Sequence, residues 1–443
     1  MTDLARLTAT AAAKLMADRE ITSEQLVKAC LDRISEREPQ VKAFAHLDPE
    51  HALTQARAAD DAFRSGKGVG PLNGLPVGIK DIIDTKDMPT QNGCAFFKGR
   101  QPEADAACIS ALRDAGAVII GKTVSTEMAS THPGPTCNPH NLGHTPGGSS
   151  SGSAAGVADF MFPLALGTQT GGSVIRPASF CGIYGLKPTF GLISRTGITM
   201  QSHTLDTVGV YGRSVEDLAL IADALSAHDP RDAGSYPRSR PNLAKAAAEK
   251  PPVKPLFAYI KTPMWDLLDD VTKEAFTELV AELGAQAEEI DLPSLSEVVA
   301  DHATVMAGEN AGYYGRLIDA GGESISPALR ARIEAGRKVS VEAYVRAFNA
   351  RAAASQHIDD MLTNYTAILT PAATGPAPKT LASSGNPIFN APWTYLGQPC
   401  VALPLMEADG MPIGVQLVGS RRDDGRLLRT AKWLAAHVEG LAS

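Results

Sequence analysis

The chain has 443 residues, 44% hydrophobic and 20% charged, an ordinary balance for a globular protein with a large core. Its formal net charge of −8 repels a polyanion on average, which argues against nucleic acid as the main ligand. No apolar run reaches the roughly 18 residues a membrane span needs, and the opening MTDLARLTATAAAKLMADRE mixes charges among its apolar residues, unlike a secretory signal.

With no address visible, cytoplasm is the expected location and a membrane partner is not expected. The six cysteines (Cys30, Cys94, Cys108, Cys137, Cys181 and Cys400) include no C-x-x-C pair. Neither a disulfide framework nor a thiolate metal site is expected, and no motif calls for a cofactor.

In TSEQLVKACLDRI, Thr22 caps a helix and Gln25 completes a capping box, with Leu26, Val27, Cys30, Leu31 and Ile34 on one face. A second helix covers about 49–66 and ends near Gly66. LPVGIKDII, residues 75–83, is a short apolar run bounded by turn residues and predicts a buried strand. Residues 107–122 read as helix, glycine turn and strand, an alternation that signals a layered α/β core. Strands are also predicted in 183–193 and around 208–212, and a Ser-capped helix over 214–225. Residues 227–255, rich in Pro, Asp, Arg, Ser and Lys, form a break. A helical block of three or four amphipathic helices then fills about 270–363. Strand-like segments return at 366–372, 399–406 and 414–419, followed by a helix over about 424–438. One α/β core therefore spans 1–443, opening at both ends of the chain, with the helical block inserted late.

Residues 145–189 carry the densest chemical signal. Two Gly-Gly-Ser clusters place Ser149 and Ser173 on either side of SGSAAGVAD, a small-residue segment suited to a tight helix. A serine hydroxyl is a weak nucleophile and needs a base. Glycines beside it let the backbone approach a substrate, and consecutive N–H groups in such a turn form an anion-binding nest suited to an oxyanion. Apolar segments flank both clusters, unlike a solvated Gly/Ser linker.

Other readings compete. GSSSG, 148–152, matches the G-x-S-x-G elbow and nominates Ser150, but a poly-Ser/Gly run matches by chance. The elbow also needs a later histidine, and His203, His228, His302, His357 and His437 have no distinctive surroundings. GTQTGGSVI lacks the G-K-[ST] ending of a phosphate loop. The best candidate for a base in place of histidine is Lys80, since an amine inside an apolar strand is desolvated and loses its proton more readily. The competing reading for Lys80 is an ion pair with Asp81 or Asp84.

GGSSSGSAAG followed by ALGTQTGGSVIRPASFCGIYGLKPT resembles the signature of the amidase signature family. LPVGIKDIID resembles its lysine strand, and NPHNLGHTPGG, LDTVGVYGRSVEDLALI and MPIGVQLVGSRRDDGRLL its other landmarks. The resemblance runs from about residue 5 to 435. It implies a mixed sheet flanked by helices, with Ser173 as nucleophile, Ser149 as a bridging serine after a cis Gly148–Ser149 peptide, and Lys80 as base. It also implies an oxyanion hole from the N–H groups of Thr170, Gly171, Gly172 and Ser173. Gln169, where many members carry Asp, is similar to the malonamidase-like branch. There the residue matching Arg176 binds a substrate carboxylate, and Arg176 and Gln169 are the expected substrate contacts; the competing reading for Arg176 is a structural arginine bonding nearby carbonyls.

The implied activity is hydrolysis of a C–N bond in a small amide, carboxylated or urea-like, with a urethane or carbamate as one alternative. A second alternative is the catalytic subunit of a tRNA-dependent amidotransferase, and a third is an assembly subunit without catalysis. The expected assembly is a homodimer. The helical block 270–363 is expected to line the pocket, with Trp265, Met306, Tyr313, Tyr314 and Trp393 as candidates.

Overall fold

The computed structural model describes residues 3–66, 69–130 and 132–441. Eleven strands form one mixed sheet: β1 (Phe44–Leu47), β2 (Pro76–Lys80), β3 (Val118–Thr123), β4 (Leu164–Gln169), β5 (Tyr184–Lys187), β6 (Thr207–Gly212), β7 (Phe257–Tyr259), β8 (Ala287–Glu289), β9 (Ala367–Pro371), β10 (Cys400–Ala408) and β11 (Met411–Val418). Their order across the sheet is β1-β3-β2-β4-β6-β5-β10-β11-β9-β7-β8. β2 runs parallel to both β3 and β4, while β4, β6, β5, β10, β11 and β9 pair antiparallel in succession.

The N-terminal helices are α1 (Ala9–Ala17), α2 (Ser23–Val41), α3 (Pro49–Ser65) and α4 (Ala107–Asp114). Around the signature lie α5 (Ser151–Ala158), α6 (Ile175–Cys181), α7 (Val215–Leu225) and α8 (Leu243–Ala248). The helical block holds α9 (Asp270–Leu283), α10 (Leu295–Gly321), α11 (Pro327–Gly336) and α12 (Val341–Met361), and α13 (Ala391–Tyr395) and α14 (Asp424–Leu441) follow. Among the described residues, no helix is long and apolar enough to cross a membrane.

Local chemistry explains these boundaries. Thr22 and Gln25 form the expected capping box on α2, and Ser214 accepts from the Asp217 N–H at the start of α7. Asp48 caps α3, Pro49 opens it, and Gly66 ends it in the left-handed region at φ 67°. Every residue of β2, β3, β4 and β6 is buried, as strands at the centre of a covered sheet require. All six cysteines are buried free thiols.

Some elements differ from expectation. The 183–193 strand is only Tyr184–Lys187. The break at 227–255 contains α8, capped by Asn242. β1, β7, β8 and α13 escape sequence reading because each is three to five residues long, too short for a period to show.

Helix α5 is built from small residues because it lies against backbone. A Cβ on Gly152 would sit 2.1 Å from the Ala43 carbonyl oxygen, and one on Gly156 2.1 Å from the Phe162 ring. Close packing, not intrinsic propensity, holds this glycine-containing helix. Gly152→Ala should therefore destabilise the protein by about 2–3 kcal/mol in urea unfolding, since the clash is with backbone. In a free helix the same change would stabilise by about 1 kcal/mol, so a gain in stability would refute this packing account.

Candidate active site

In an open α/β sheet, functional groups gather at the carboxyl ends of parallel strands. Lys80 closes β2, and the neighbouring β4 ends at Thr168 and Gln169. Lys80 is fully buried, with Nζ 2.7 Å from Ser149 Oγ and 2.8 Å from Thr168 Oγ1. No acid among the described residues comes within ion-pairing distance of it. Asp81 faces Lys122 at 3.8 Å, and Asp84 takes Arg100 in a two-pronged pair at 2.7 and 2.8 Å. Burial pushes the Lys80 amine well below its ordinary value of 10.5, and the field of Asp206 offsets this only in part.

Ser149 follows a cis Gly148–Ser149 peptide and is 2% exposed. Ser150 is structural. Its hydroxyl donates to the Thr168 carbonyl at 3.3 Å and accepts from the Thr168 N–H at 3.2 Å, tying α5 to β4.

Residues 170–173 link β4 to α6, and the turn is held by its carbonyls. The Thr170 carbonyl accepts from His302 Nε2 on α10 at 2.9 Å, and the Gly171 carbonyl from Thr394 Oγ1 on α13 at 2.7 Å. The Gly172 carbonyl accepts from the Arg176 N–H at 3.0 Å, and the Ser173 carbonyl from the Tyr211 hydroxyl on β6 at 3.1 Å. Among the described residues, no protein acceptor takes the N–H of Gly171, Gly172 or Ser173. Four carbonyls are thus tied back and three consecutive donors left open, the arrangement of an anion nest. Ser173 is half-buried. No hydrogen bond joins its hydroxyl to Ser149 in this structure. Such catalytic contacts commonly tighten only when substrate binds.

His302 must donate to Thr170, because a carbonyl only accepts. Burial holds its pKa down to about 4, so it is neutral. Asp206, which sequence reading left unassigned, is buried behind the turn. It accepts from Thr170 Oγ1 at 2.5 Å and from the Gln201 and Ser202 N–H groups at 2.8 and 3.0 Å.

The two expected substrate contacts both bond to the protein itself. Gln169 is fully buried, and its amide is used by the protein. Oε1 accepts from the Val174 and Ile175 N–H groups at 2.8 and 3.0 Å, and Nε2 donates to Thr394 Oγ1 at 2.9 Å. It braces both ends of the turn and is a positioning residue. Arg176 is 4% exposed, with Nε on the Ser384 carbonyl at 2.7 Å and Nη2 on the Gly148 carbonyl at 2.6 Å. It links α6 to Gly148 and Ser384. Only its Nη1 is buried without a protein partner, near Gly172, where a Cβ would lie 2.8 Å from it.

Among the pocket candidates, Trp265 is partly buried against the core and Trp393 lies within it. Trp265 packs edge-on to Tyr259 and Phe276, and Trp393 is fully buried. Tyr314 is buried and donates to the Met128 carbonyl at 3.0 Å, while Met306 packs against the main core. Tyr313 lines a 470 Å³ cavity with His203, Glu309 and Tyr344.

Gln169→Leu should leave two buried N–H groups unpaired and cost about 2–4 kcal/mol in chemical unfolding. Its kcat should fall more than KM rises, whereas a substrate contact would raise KM first. Lys80 supplies a pH test. The unfolded chain protonates this amine and the folded chain does not, so the unfolded state binds more protons between the depressed pKa and the ordinary value of 10.5. In that window Lys80 makes stability rise with pH, by at most about 1.4 kcal/mol per unit. Lys80→Met should remove this slope, which unfolding measured across pH for both proteins would show.

The wider relationships agree with this geometry. The amidase family profile matches residues 25–428. The chain is 34% identical, over 97% of its length and 96% of the relative, to the A component of the glutamyl-tRNA(Gln) amidotransferase of Chloroflexus aggregans (strain MD-66 / DSM 9485). Among solved structures it is similar to a protein of a vestigial complex described as revealing the origins of an s-triazine catabolic enzyme, with a TM-score of 0.90 and 28% identity over 97% of this chain and 98% of that one. It is also similar to a peptide amidase solved with the competitive inhibitor chymostatin, with a TM-score of 0.86 and 28% identity over 99% of both chains. A buried, unpaired lysine, a serine beside it and an open N–H nest thus sit in a chain whose likeness to amidases runs nearly end to end: it belongs to the amidase family and is an amide-hydrolysing enzyme.

Proposed function

We propose that the chain hydrolyses a small amide through an acyl-enzyme on Ser173, using Lys80 and Ser149 as a proton relay. The observation that carries this reading is the Lys80 amine, buried between two hydroxyls with no acid partner. A neutral amine there takes the Ser149 proton while Ser149 takes that of Ser173. Ser173 Oγ bonds to the carbonyl carbon, and the oxyanion settles on the N–H groups of Gly171, Gly172 and Ser173, with Thr170 at the edge of the nest. The relay returns the proton to the leaving nitrogen as the C–N bond breaks, and water then releases the acyl group. No metal or cofactor is assigned a part in this scheme. The helical block 270–363 lines the pocket in this reading, since His302 reaches the turn from it.

The substrate is proposed to carry a carboxylate. Arg176 is a buried cation with no acid among the groups acting on it, and its Nη1 lacks a partner. An unpaired buried charge is costly, and a substrate carboxylate would offset it. Malonamate, ureido acids and glutamine all meet this description, and carbamates share the cleavage chemistry with a different leaving group.

A second reading is favoured by sequence similarity: catalytic subunit of a tRNA-dependent amidotransferase, as the Chloroflexus aggregans relative is described. Ammonia released at Ser173 would then be passed to a partner and not to solvent. The net charge of −8 gives this chain little attraction of its own for tRNA, so that partner would supply the nucleic-acid contact.

A fluorophosphonate probe should label Ser173 and fail on Ser173→Ala. Lys80→Ala should lower kcat at least about a thousandfold with the fold intact by circular dichroism. Labelling that persists in Ser173→Ala would reject the assignment. Turnover of malonamate, glutamine, biuret, aryl amides and aryl carbamates by the chain alone separates the free-standing reading from the amidotransferase reading, which requires glutamine hydrolysis to appear only with a co-expressed partner. In Arg176→Gln, the kcat/KM ratio of carboxylated to neutral amides should fall at least about tenfold. An equal loss on both would leave Arg176 a brace alone.

A further inference from the structure

A cavity of about 680 Å³ lies apart from the catalytic serines, lined in part by Phe190, Tyr236, Arg351, Asp359, Arg421 and Arg422. Three arginines against one acid give it a local excess of two positive charges in a chain of net charge −8. The acid is already engaged. Asp359 Oδ2 accepts from Arg421 Nε at 2.7 Å, and Oδ1 accepts from Gln398 Nε2 and the Arg421 N–H, both at 3.1 Å.

The other two arginines have no acid within ion-pairing distance among the described residues. The Arg351 guanidinium lies 5.0 Å over the Phe190 ring, and its Nε donates to the Tyr395 carbonyl. Burial lowers its pKa to about 10, which leaves it a cation at neutral pH. Arg422 is exposed at the mouth, 4.5 Å over the Tyr236 ring, with its backbone held by Thr189 at 2.9 Å. Stacking on aromatic rings aims both guanidinium groups without neutralising them. The cavity stands behind α13: Arg351 meets that helix at Tyr395, whereas Thr394 meets the catalytic turn at Gly171.

We propose that this cavity binds a small organic dianion with a flat apolar body, its charge taken by Arg351 and Arg422 and its body by Phe348 and Leu396, because the Phe190 and Tyr236 rings are already covered by Arg195 and Arg351 and by Arg238 and Arg422. The volume suits such a ligand, and the lining sets converging charges beside the apolar side chains of Phe348 and Leu396.

Calorimetry on the full chain at fixed ionic strength tests this with phenyl phosphate and inorganic phosphate. Phenyl phosphate should bind about tenfold more tightly than inorganic phosphate, because its ring leaves water. Arg422→Gln and Arg351→Gln should each weaken it at least about tenfold, as expected for loss of a charge-assisted contact. Ser173→Ala should bind it unchanged. Because Arg351 also holds α13, circular dichroism checks that variant, and the exposed Arg422 decides the matter if Arg351→Gln unfolds. The proposal is overturned by unchanged affinity in Arg422→Gln, by loss of binding in Ser173→Ala, or by no binding heat up to about 10 mM probe, a range in which even a weak site registers.

Discussion

The structure turns on one expensive placement, the amine of Lys80 in the dry centre of the sheet without a carboxylate. Desolvation disfavours the ammonium form, so the fold itself pushes this amine well below its ordinary pKa. Lys122, on the adjacent strand, shows the contrast. It too is buried, but it faces Asp81 at 3.8 Å and donates to the Ile83 carbonyl at 2.8 Å and Thr90 Oγ1 at 2.5 Å. Its pKa falls only to about 8. Two buried lysines on neighbouring strands therefore differ in how far burial lowers their pKa, and only Lys122 has a counter-charge within ion-pairing distance. Lys122 ties loop to sheet, whereas Lys80 is left with hydroxyls able to exchange protons.

The second constraint is the direction of four carbonyls. An anion nest works only if its N–H groups point one way, which requires the carbonyls to point elsewhere and be satisfied there. Here α10, α13, α6 and β6 each supply one donor, and Gln169 clamps the turn from below. Distant parts of the chain thus converge on residues 170–173, and the late helical block reaches that turn through His302. Preorganisation of this kind lets donors meet developing charge without rearranging.

Amide hydrolysis needs a nucleophile, a relay and an oxyanion site, and the groups proposed for them gather at the carboxyl ends of the interior strands β2 and β4. What varies within such a scaffold is the surroundings. In the proposed reading Arg176, buried without an acid, selects a carboxylated substrate, and a partner able to receive ammonia would change the product without changing the first chemical step. The same scaffold can therefore serve hydrolysis to solvent and transfer to a partner, which is why likeness in sequence and likeness in structure point to proteins described in different terms.

Much was legible in the chain itself. Caps at Thr22 and Ser214, the glycine stop at Gly66 and the apolar run before Lys80 depend on neighbours a few residues apart, and each forms as read. The paired Gly-Gly-Ser clusters marked the reactive region for the same reason: a tight turn needs glycine locally. Residues whose partners lie far away were not legible. Asp206 acts on a turn more than thirty residues earlier, and Thr394 serves Gly171 across more than two hundred. Gln169 and Arg176 stood in the right motif, yet whether their polar atoms face a substrate or the protein depended on Thr394, Ser384 and Gly148. Sequence alone determined the local elements and the types of reactive group. Tertiary packing alone decided which of those groups are dry, unpaired and aimed at one another, because desolvation and hydrogen-bond satisfaction belong to the assembled interior and not to any segment of it.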